Sequence, residues 1–183
     1  MLTALDLPDV FSPAECDRIV AVAEAAPFGD AGLVRGERLD NIRKARVTWL
    51  EETRENEWIA DRLTGTVISA NRTHFGFDLT EFSERAQIAW YDAGAGGHFD
   101  WHVDIGDGPL AQRRKLTLVI QLSEDGDYEG GDLELNASGS PARSNRARGS
   151  ATLFAAFTPH RVAPVIKGAR YSLTTWVHGP DFR

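Results

Sequence analysis

Cysteine is almost absent from the chain. Cys16 is its one occurrence in 183 residues, so no disulfide can form within the molecule. This fits a reducing compartment, and a cytoplasmic setting is the expectation. No stretch is apolar for long enough to span a bilayer. Residues 1–6 lack the basic start and apolar run of a secretory signal. Positive charge is in deficit, with 20 Lys and Arg against 27 Asp and Glu and a formal charge of −7. That balance disfavours wholesale electrostatic binding to nucleic acid or to an anionic membrane, although a local basic patch stays open. Internal repeats and interdomain linkers are missing too, and nothing encodes an oligomeric state.

What is present is an ordinary globular balance, 42% apolar and 26% charged. The length suits one domain with a sizeable core. The expected organisation is a single domain over 1–183, with helical support over about 1–85 and a β core over about 86–178.

Two helices are legible. Ser12-Pro13-Ala14-Glu15 is a capping box with proline at the first helical position, and Phe11 and Cys16 stand where a hydrophobic staple would sit. Cys16, Ile19, Val20 and Ala23 recur at helical spacing, which predicts a helix to about Ala25. A second helix is expected from near Arg54 to about Ala70, with Ile59, Leu63, Val67 and Ala70 as its apolar stripe and Gly65 as a weak point. From about Ala86 the pattern turns to short strands. Residues 114–122 alternate Leu116, Leu118, Ile120 and Leu122 against Lys115, Thr117, Val119 and Gln121. Further strands are expected over 132–135, 150–157, 161–166 and 170–177, and an earlier one over 41–50. Such a series predicts a sandwich or jelly roll, mainly β, with the helices on one outer face. Residues 136–149 read as a solvated loop whose three arginines could guide an acidic substrate.

The segment His98-Phe99-Asp100-Trp101-His102-Val103-Asp104 carries the chemistry, together with His160 and Arg170. His102 and Asp104 are two apart, so on a strand both point to one face while Val103 packs the other way. Two imidazoles and a carboxylate can cap one face of an iron(II) ion and leave the other open. An arginine ten residues past His160 could grip the far carboxylate of a dicarboxylate co-substrate. His98-x-Asp100 is an internal competitor, on the same face by parity. The loop residues after Asp104 place His102 and Asp104 at an exposed strand end, which favours them and leaves His98 and Asp100 as outer supports or channel residues. His74 and His178 are given no role. Trp101 should point away from the metal. Trp49, Trp90 and Trp176 are candidates for core or pocket.

Taken together these residues resemble the iron(II)- and 2-oxoglutarate-dependent dioxygenases, in the branch similar to prolyl 4-hydroxylases. The resemblance lies in Tyr91-Asp92-Ala93-Gly94 leading into His102-Val103-Asp104, in the strand 114–123, in Tyr128-Glu129-Gly130-Gly131-Asp132-Leu133, and in Phe157-Thr158-Pro159-His160 with Gly168-Ala169-Arg170-Tyr171-Ser172. It covers roughly 86–178, and its motifs are specific as a set. It implies a double-stranded β-helix with the metal between two facing sheets. It implies iron ligation by His102, Asp104 and His160, and pairing of Arg170 with the 5-carboxylate of 2-oxoglutarate. Ser172 could add a hydroxyl there, Tyr91 lies near the co-substrate, and Lys115 and Thr117 share the relevant strand face. Gln121 stands where the oxygen-sensing prolyl hydroxylases of animals carry Tyr, and its amide could donate in that residue's place.

The activity so implied is hydroxylation of a peptidyl or free amino acid, with proline as one case. It would consume 2-oxoglutarate and O2, release succinate and CO2, and take ascorbate as a candidate reductant. Arg43, Lys44 and Arg46 would frame the substrate entrance. The rival readings are a cupin-like metal enzyme that does not use 2-oxoglutarate, a non-catalytic jelly-roll binding module and, more weakly, a nucleic-acid demethylase.

Overall fold

The computed structural model describes residues 2–30, 33–34, 37–38 and 42–182. Helix α1 spans Pro13–Ala25 and α2 spans Glu57–Ala70, the latter running on into a π turn, Asn71–Phe75. The first strands are β1 (Leu5–Leu7), β2 (Gly29–Asp30), β3 (Leu33–Val34), β4 (Glu37–Arg38), β5 (Arg43–Lys44), β6 (Arg46–Trp49) and β7 (Gln87–Asp92). Next come β8 (His98–His102), β9 (Arg114–Gln121), β10 (Tyr128–Gly130) and β11 (Leu133–Leu135). The last are β12 (Ala142–Arg143), β13 (Ala151–Ala155), β14 (His160–Val162) and β15 (Val165–His178).

Two sheets dominate, and both are antiparallel. The larger runs β1-β13-β9-β15-β7-β6-β2, with β10 pairing the start of β15. The smaller runs β12-β11-β14-β8-β5. This is the double-stranded β-helix that the resemblance implies, with β3 and β4 forming a separate small hairpin. Every residue of β9 after its first is buried, because both of its faces are covered. Leu116, Leu118 and Ile120 face a core shared with Ile88, Leu153 and Leu173 and with Ile19 of α1 and Ile59, Leu63 and Val67 of α2. Each such fully buried side chain contributes about 1.5–3 kcal/mol. The opposite residues of β9 face the smaller sheet. The helices thus cover one outer face, as the alternation predicts.

Helix α1 forms as its sequence dictates. Ser12 and Glu15 make the reciprocal capping-box bonds, and Phe11 and Cys16 are both buried. Burial pushes the Cys16 thiol up to about 11 against the pull of nearby Arg148. Helix α2 starts at Glu57 rather than near Arg54, and Asn56 makes no side-chain cap there. The expected strand over 41–50 is two strands on different sheets. Its first residue, Asn41, lies outside the described residues, and the chain crosses between sheets at Ala45. The expected break at Lys167-Gly168 falls instead at Ala163-Pro164, and β15 runs unbroken through it. The chain passes from the larger sheet to the smaller again at the turn Gly130-Gly131, both residues at positive φ (74° and 63°). A Cβ on Gly130 would lie 2.2 Å from Pro164 O, so only glycine fits this turn.

One partly buried ion pair braces the end of the large sheet where β9 begins. Arg114 grips both oxygens of Glu84, at 2.7 and 2.5 Å, and donates from Nη1 to the carbonyl of Asp104 at 3.0 Å. His178, fully buried, accepts from Ser83 N–H at Nδ1, which leaves Nε2–H facing Glu84 Oε2 at 3.0 Å. Burial raises the Glu84 carboxyl's pKa, but the bonds and charge of Arg114 and His178 outweigh it and hold the group below its ordinary value.

Two outcomes follow. A thiol reagent should leave Cys16 unmodified in the native protein at mildly alkaline pH and label one thiol per chain after unfolding; rapid native labelling would contradict the packing. Glu84→Gln should lower the unfolding free energy by roughly 2–4 kcal/mol at neutral pH. A depressed carboxyl pKa stabilises above the ordinary carboxylate range, and the gain is lost as pH falls through the lowered value. The gap between variant and wild type should therefore close in acid, as read by denaturant unfolding at both pH values.

Candidate metal and co-substrate site

His102 ends β8, and His160 opens the neighbouring β14 as its direct partner across the ladder. Asp104 lies just past the strand, where its N–H donates to the carbonyl of Ala156 at 2.9 Å. The same-face spacing is thus delivered by a strand end and the bend that follows it. The three residues bring one ligand atom each to within 4.8 Å of one another.

Hydrogen bonding fixes which atoms converge. His102 Nδ1 lies 2.7 Å from the carbonyl of Asp100, and His160 Nδ1 lies 2.9 Å from that of Thr158. Carbonyls only accept, so each Nδ1 carries a proton and each Nε2 is the ring atom left to ligate. Those two atoms face the Asp104 carboxylate, His102 Nε2 at 3.7 Å from Oδ1 and His160 Nε2 at 3.5 Å from Oδ2. Burial, then the charges of His160 and Arg43, push the His102 pKa down to about 4, against the pull of Asp104. Burial pushes Asp104 the other way, but the imidazoles, a 2.6 Å bond from the Thr117 hydroxyl and Arg114 hold its carboxyl below the ordinary range. Two imidazoles that turn Nε2 toward one ionised carboxylate are the donor set for a divalent cation of mixed N/O preference such as iron(II). Phe99 stacks on the His102 ring at 3.5 Å and Phe154 packs on the His160 ring at 4.7 Å, which fixes both orientations.

The cavity beside these ligand atoms is lined by Tyr91, Ser172, Thr174, Trp176, Gln87 and Arg43, among others. Arg43 lies over Phe99 at 4.5 Å and donates to Gln87 Oε1 at 2.7 Å. A second, smaller cavity shares the walls Val119 and Leu133 and holds Arg170, Gln121 and Tyr128. Arg170 is 2% exposed, its Nε donates to Gln121 Oε1 at 3.0 Å, and its buried Nη1 has no hydrogen-bond partner. A buried guanidinium with an unused donor fits an anion. Iron(II) and the distal carboxylate of 2-oxoglutarate thus both suit the side chains present.

Several expectations need correction. His98 and Asp100 do not share the face of His102. Four residues of β8 (Phe99 to His102) span three of β14 (His160 to Val162), a bulge of one residue that turns Phe99 inward instead. Asp100 is exposed, its side chain accepting from Trp101 N–H, and the His98 ring bonds to Gly96 O. Gln121 cannot donate to a co-substrate: its amide hydrogens reach Tyr128 Oη at 2.8 Å and Ser123 O at 3.2 Å. Lys115 and Thr117 do not reach Arg170, since Thr117 bonds Asp104 and the Lys115 ammonium lies over the Phe182 ring. Lys44 pairs with His98, and Arg46 lies over Trp90 and Phe28, so Arg43 alone of that trio lines the ligand cavity. The loop arginines are not simply solvated. Arg146 is tied to Asp125, Asp132 and the Gly130 carbonyl, and Arg148 to Asp17, Glu124 and the Leu122 carbonyl. Trp101 points away, beneath Arg161, as expected. The brace of Arg114, Glu84 and His178 escapes a sequence reading, because its members are 94 residues apart at the extremes and carry no motif.

Comparison with known proteins agrees with this geometry. The chain is 27% identical over 172 residues to a PKHD-type hydroxylase of Colwellia psychrerythraea, covering 93% of this chain and 76% of that one. It is 26% identical over 179 residues to a PKHD-type hydroxylase of Bordetella pertussis, covering 94% and 77%. Among solved structures it resembles the prolyl hydroxylase of Trichoplax adhaerens in complex with a hypoxia inducible factor peptide (TM-score 0.80, 17% identity, 97% and 84% covered). It also resembles a Pseudomonas putida prolyl-4-hydroxylase (TM-score 0.75, 20% identity, 97% and 92% covered). The family model of the 2OG-Fe(II) oxygenase superfamily matches residues 86–178, the stretch that holds every ligand candidate, and the chain belongs to that superfamily.

Proposed function

We propose that the protein is a hydroxylase in which His102, Asp104 and His160 hold iron(II) and Arg170 anchors the distal carboxylate of 2-oxoglutarate. One observation carries this reading: three potential ligand atoms converge in a cavity that shares the walls Val119 and Leu133 with one holding a buried guanidinium with an unused N–H. Bound iron with 2-oxoglutarate supplies the oxidising chemistry. The chain supplies placement and dryness. The backbone carbonyls of Asp100 and Thr158 keep both imidazoles in the ligating tautomer. Thr117 and Arg114 set the Asp104 carboxylate and its backbone. Val119 and Leu133 wall both cavities and Tyr91 lines the one with the ligands, with Arg170 over its ring at 5.8 Å, an apolar lining that excludes water. Ser172 and Tyr91 would border the co-substrate from β15 and β7.

The names of the relatives point to hydroxylation, and those of the structural neighbours to prolyl substrates. A peptidyl or free amino acid is the proposed substrate, with proline as the leading case, entering past Arg43, Trp176 and exposed Trp49. A metal enzyme that does not use 2-oxoglutarate would leave the buried Nη1 of Arg170 without a purpose. Nucleic acid is disfavoured as substrate, since Arg146 and Arg148 are engaged within the fold. A cytoplasmic setting belongs to the same reading, which a buried, unpaired Cys16 supports. The construction as one domain over 1–183 does too, with α1 and α2 packed on the sheet that carries Arg170.

With iron(II), O2 and 2-oxoglutarate the protein should form succinate slowly even without a prime substrate. His102→Ala should cut this by roughly two orders of magnitude or more. Full turnover in that variant would sink the ligand assignment. A mass gain of one oxygen, scanned across peptides and amino acids, would identify the substrate.

A further inference from the structure

We propose that Tyr128, on β10, donates the second hydrogen bond to the distal carboxylate of 2-oxoglutarate, beside Arg170. This rests on the reading of the site given above and assigns a role to a residue outside it. The argument starts from Gln121, whose amide orientation is fully determined. Its Oε1 must face Arg170 Nε, which can only donate. Its Nε2 must face the Ser123 carbonyl, which can only accept. The remaining amide hydrogen therefore goes to Tyr128 Oη, 2.8 Å away. Tyr128 thus accepts in its hydroxyl's one hydrogen bond among the described residues, and its own proton has no acceptor there.

A buried hydroxyl with an unused proton is costly. Tyr128 is 3% exposed and lines the same small cavity as Arg170, whose buried Nη1 is also without a partner. Two unused donors, a guanidinium N–H and a phenolic O–H, thus line one enclosed space, and a carboxylate can accept both. The ring cannot swing away. The Arg146 guanidinium lies over it at 4.3 Å and is itself held by Asp132 and the Gly130 carbonyl. Gln121 then acts as a positioning residue that joins the two donors, with no donor of its own left over. Ser144 Oγ, also buried and unpartnered in this cavity, is the one competing hydroxyl among the described residues that line it without a hydrogen bond.

The test is calorimetric titration of the Mn(II)-loaded full chain with 2-oxoglutarate and with pyruvate, which has the same 2-oxo acid end but no distal carboxylate. Tyr128→Phe should raise the Kd for 2-oxoglutarate about tenfold, the loss of a hydrogen bond to an ionised group. The Kd values for pyruvate and for Mn(II) should stay as in wild type. Ser144→Ala should change none of the three. An unchanged 2-oxoglutarate Kd in Tyr128→Phe would overturn the proposal. Equal weakening of both acids, or a loss seen in Ser144→Ala instead, would overturn it as well. If the wild-type protein itself bound no 2-oxoglutarate, the proposed function would fall along with it.

Discussion

Everything in this fold answers to one electrostatic constraint: the Nε2 atoms of two imidazoles and a carboxylate are forced to within a few ångströms of one another. Left alone, such an arrangement repels itself. A fold can hold it because the opposite side of each ring is anchored to a backbone carbonyl and each ring is stacked on a phenylalanine. Protonation would relieve it, but burial and then His160 and Arg43 push the His102 pKa down to about 4 against the pull of Asp104, which closes that route near neutral pH. A divalent cation would relieve it instead, and affinity for metal would be the fold's answer to its own internal repulsion.

The two sheets divide the labour. The smaller one presents the imidazoles from adjacent strands. The larger one presents Thr117, Tyr91, Ser172 and Arg170 from three strands whose other faces are sealed by α1 and α2. The helices contribute no side chain to the cavities, yet without them the even-numbered residues of β9 would lie in water and its odd-numbered ones would lose their aim. The Arg114 brace joins the divisions, since it belongs to the large sheet and holds the backbone of Asp104, which follows the small one.

Much of this was legible in the sequence. The strict alternation of 115–122 fixed which residues of β9 face the helices and which the site, because side chains on a strand alternate without exception while the strand stays regular. The capping box fixed the start of α1 for the same local reason. Legibility failed where regularity failed. The bulge in β8 put Phe99 where parity put Asp100, and no residue type announces a bulge of this kind. The crossing at Ala45 split an apparently continuous strand for want of any glycine or proline to mark it. Hydrogen-bond saturation of Gln121 was equally invisible, since it depends on Ser123, Tyr128 and Arg170 meeting across three strands. The arginines of 136–149 misled for a similar cause: their acidic partners at Asp17, Glu124, Asp125 and Asp132 lie elsewhere in the text.

Strand β15 has a wider consequence. Arg170, Ser172, Thr174 and Trp176 lie at alternate positions on it, so one strand carries the proposed co-substrate anchor at one end and, at the other, the buried Trp176 ring of the proposed rim. The span is about 20 Å at the usual rise per residue. The distance between what would grip the co-substrate and what would meet the substrate is therefore set by covalent geometry rather than by loop conformation. Evolution can vary the rim by substitution, but it cannot slide the rim relative to the anchor: adding or deleting a single residue between them would turn one of the two ends over to the helical side. The length of the molecule that can reach the reactive centre is, in this sense, ruled into the backbone.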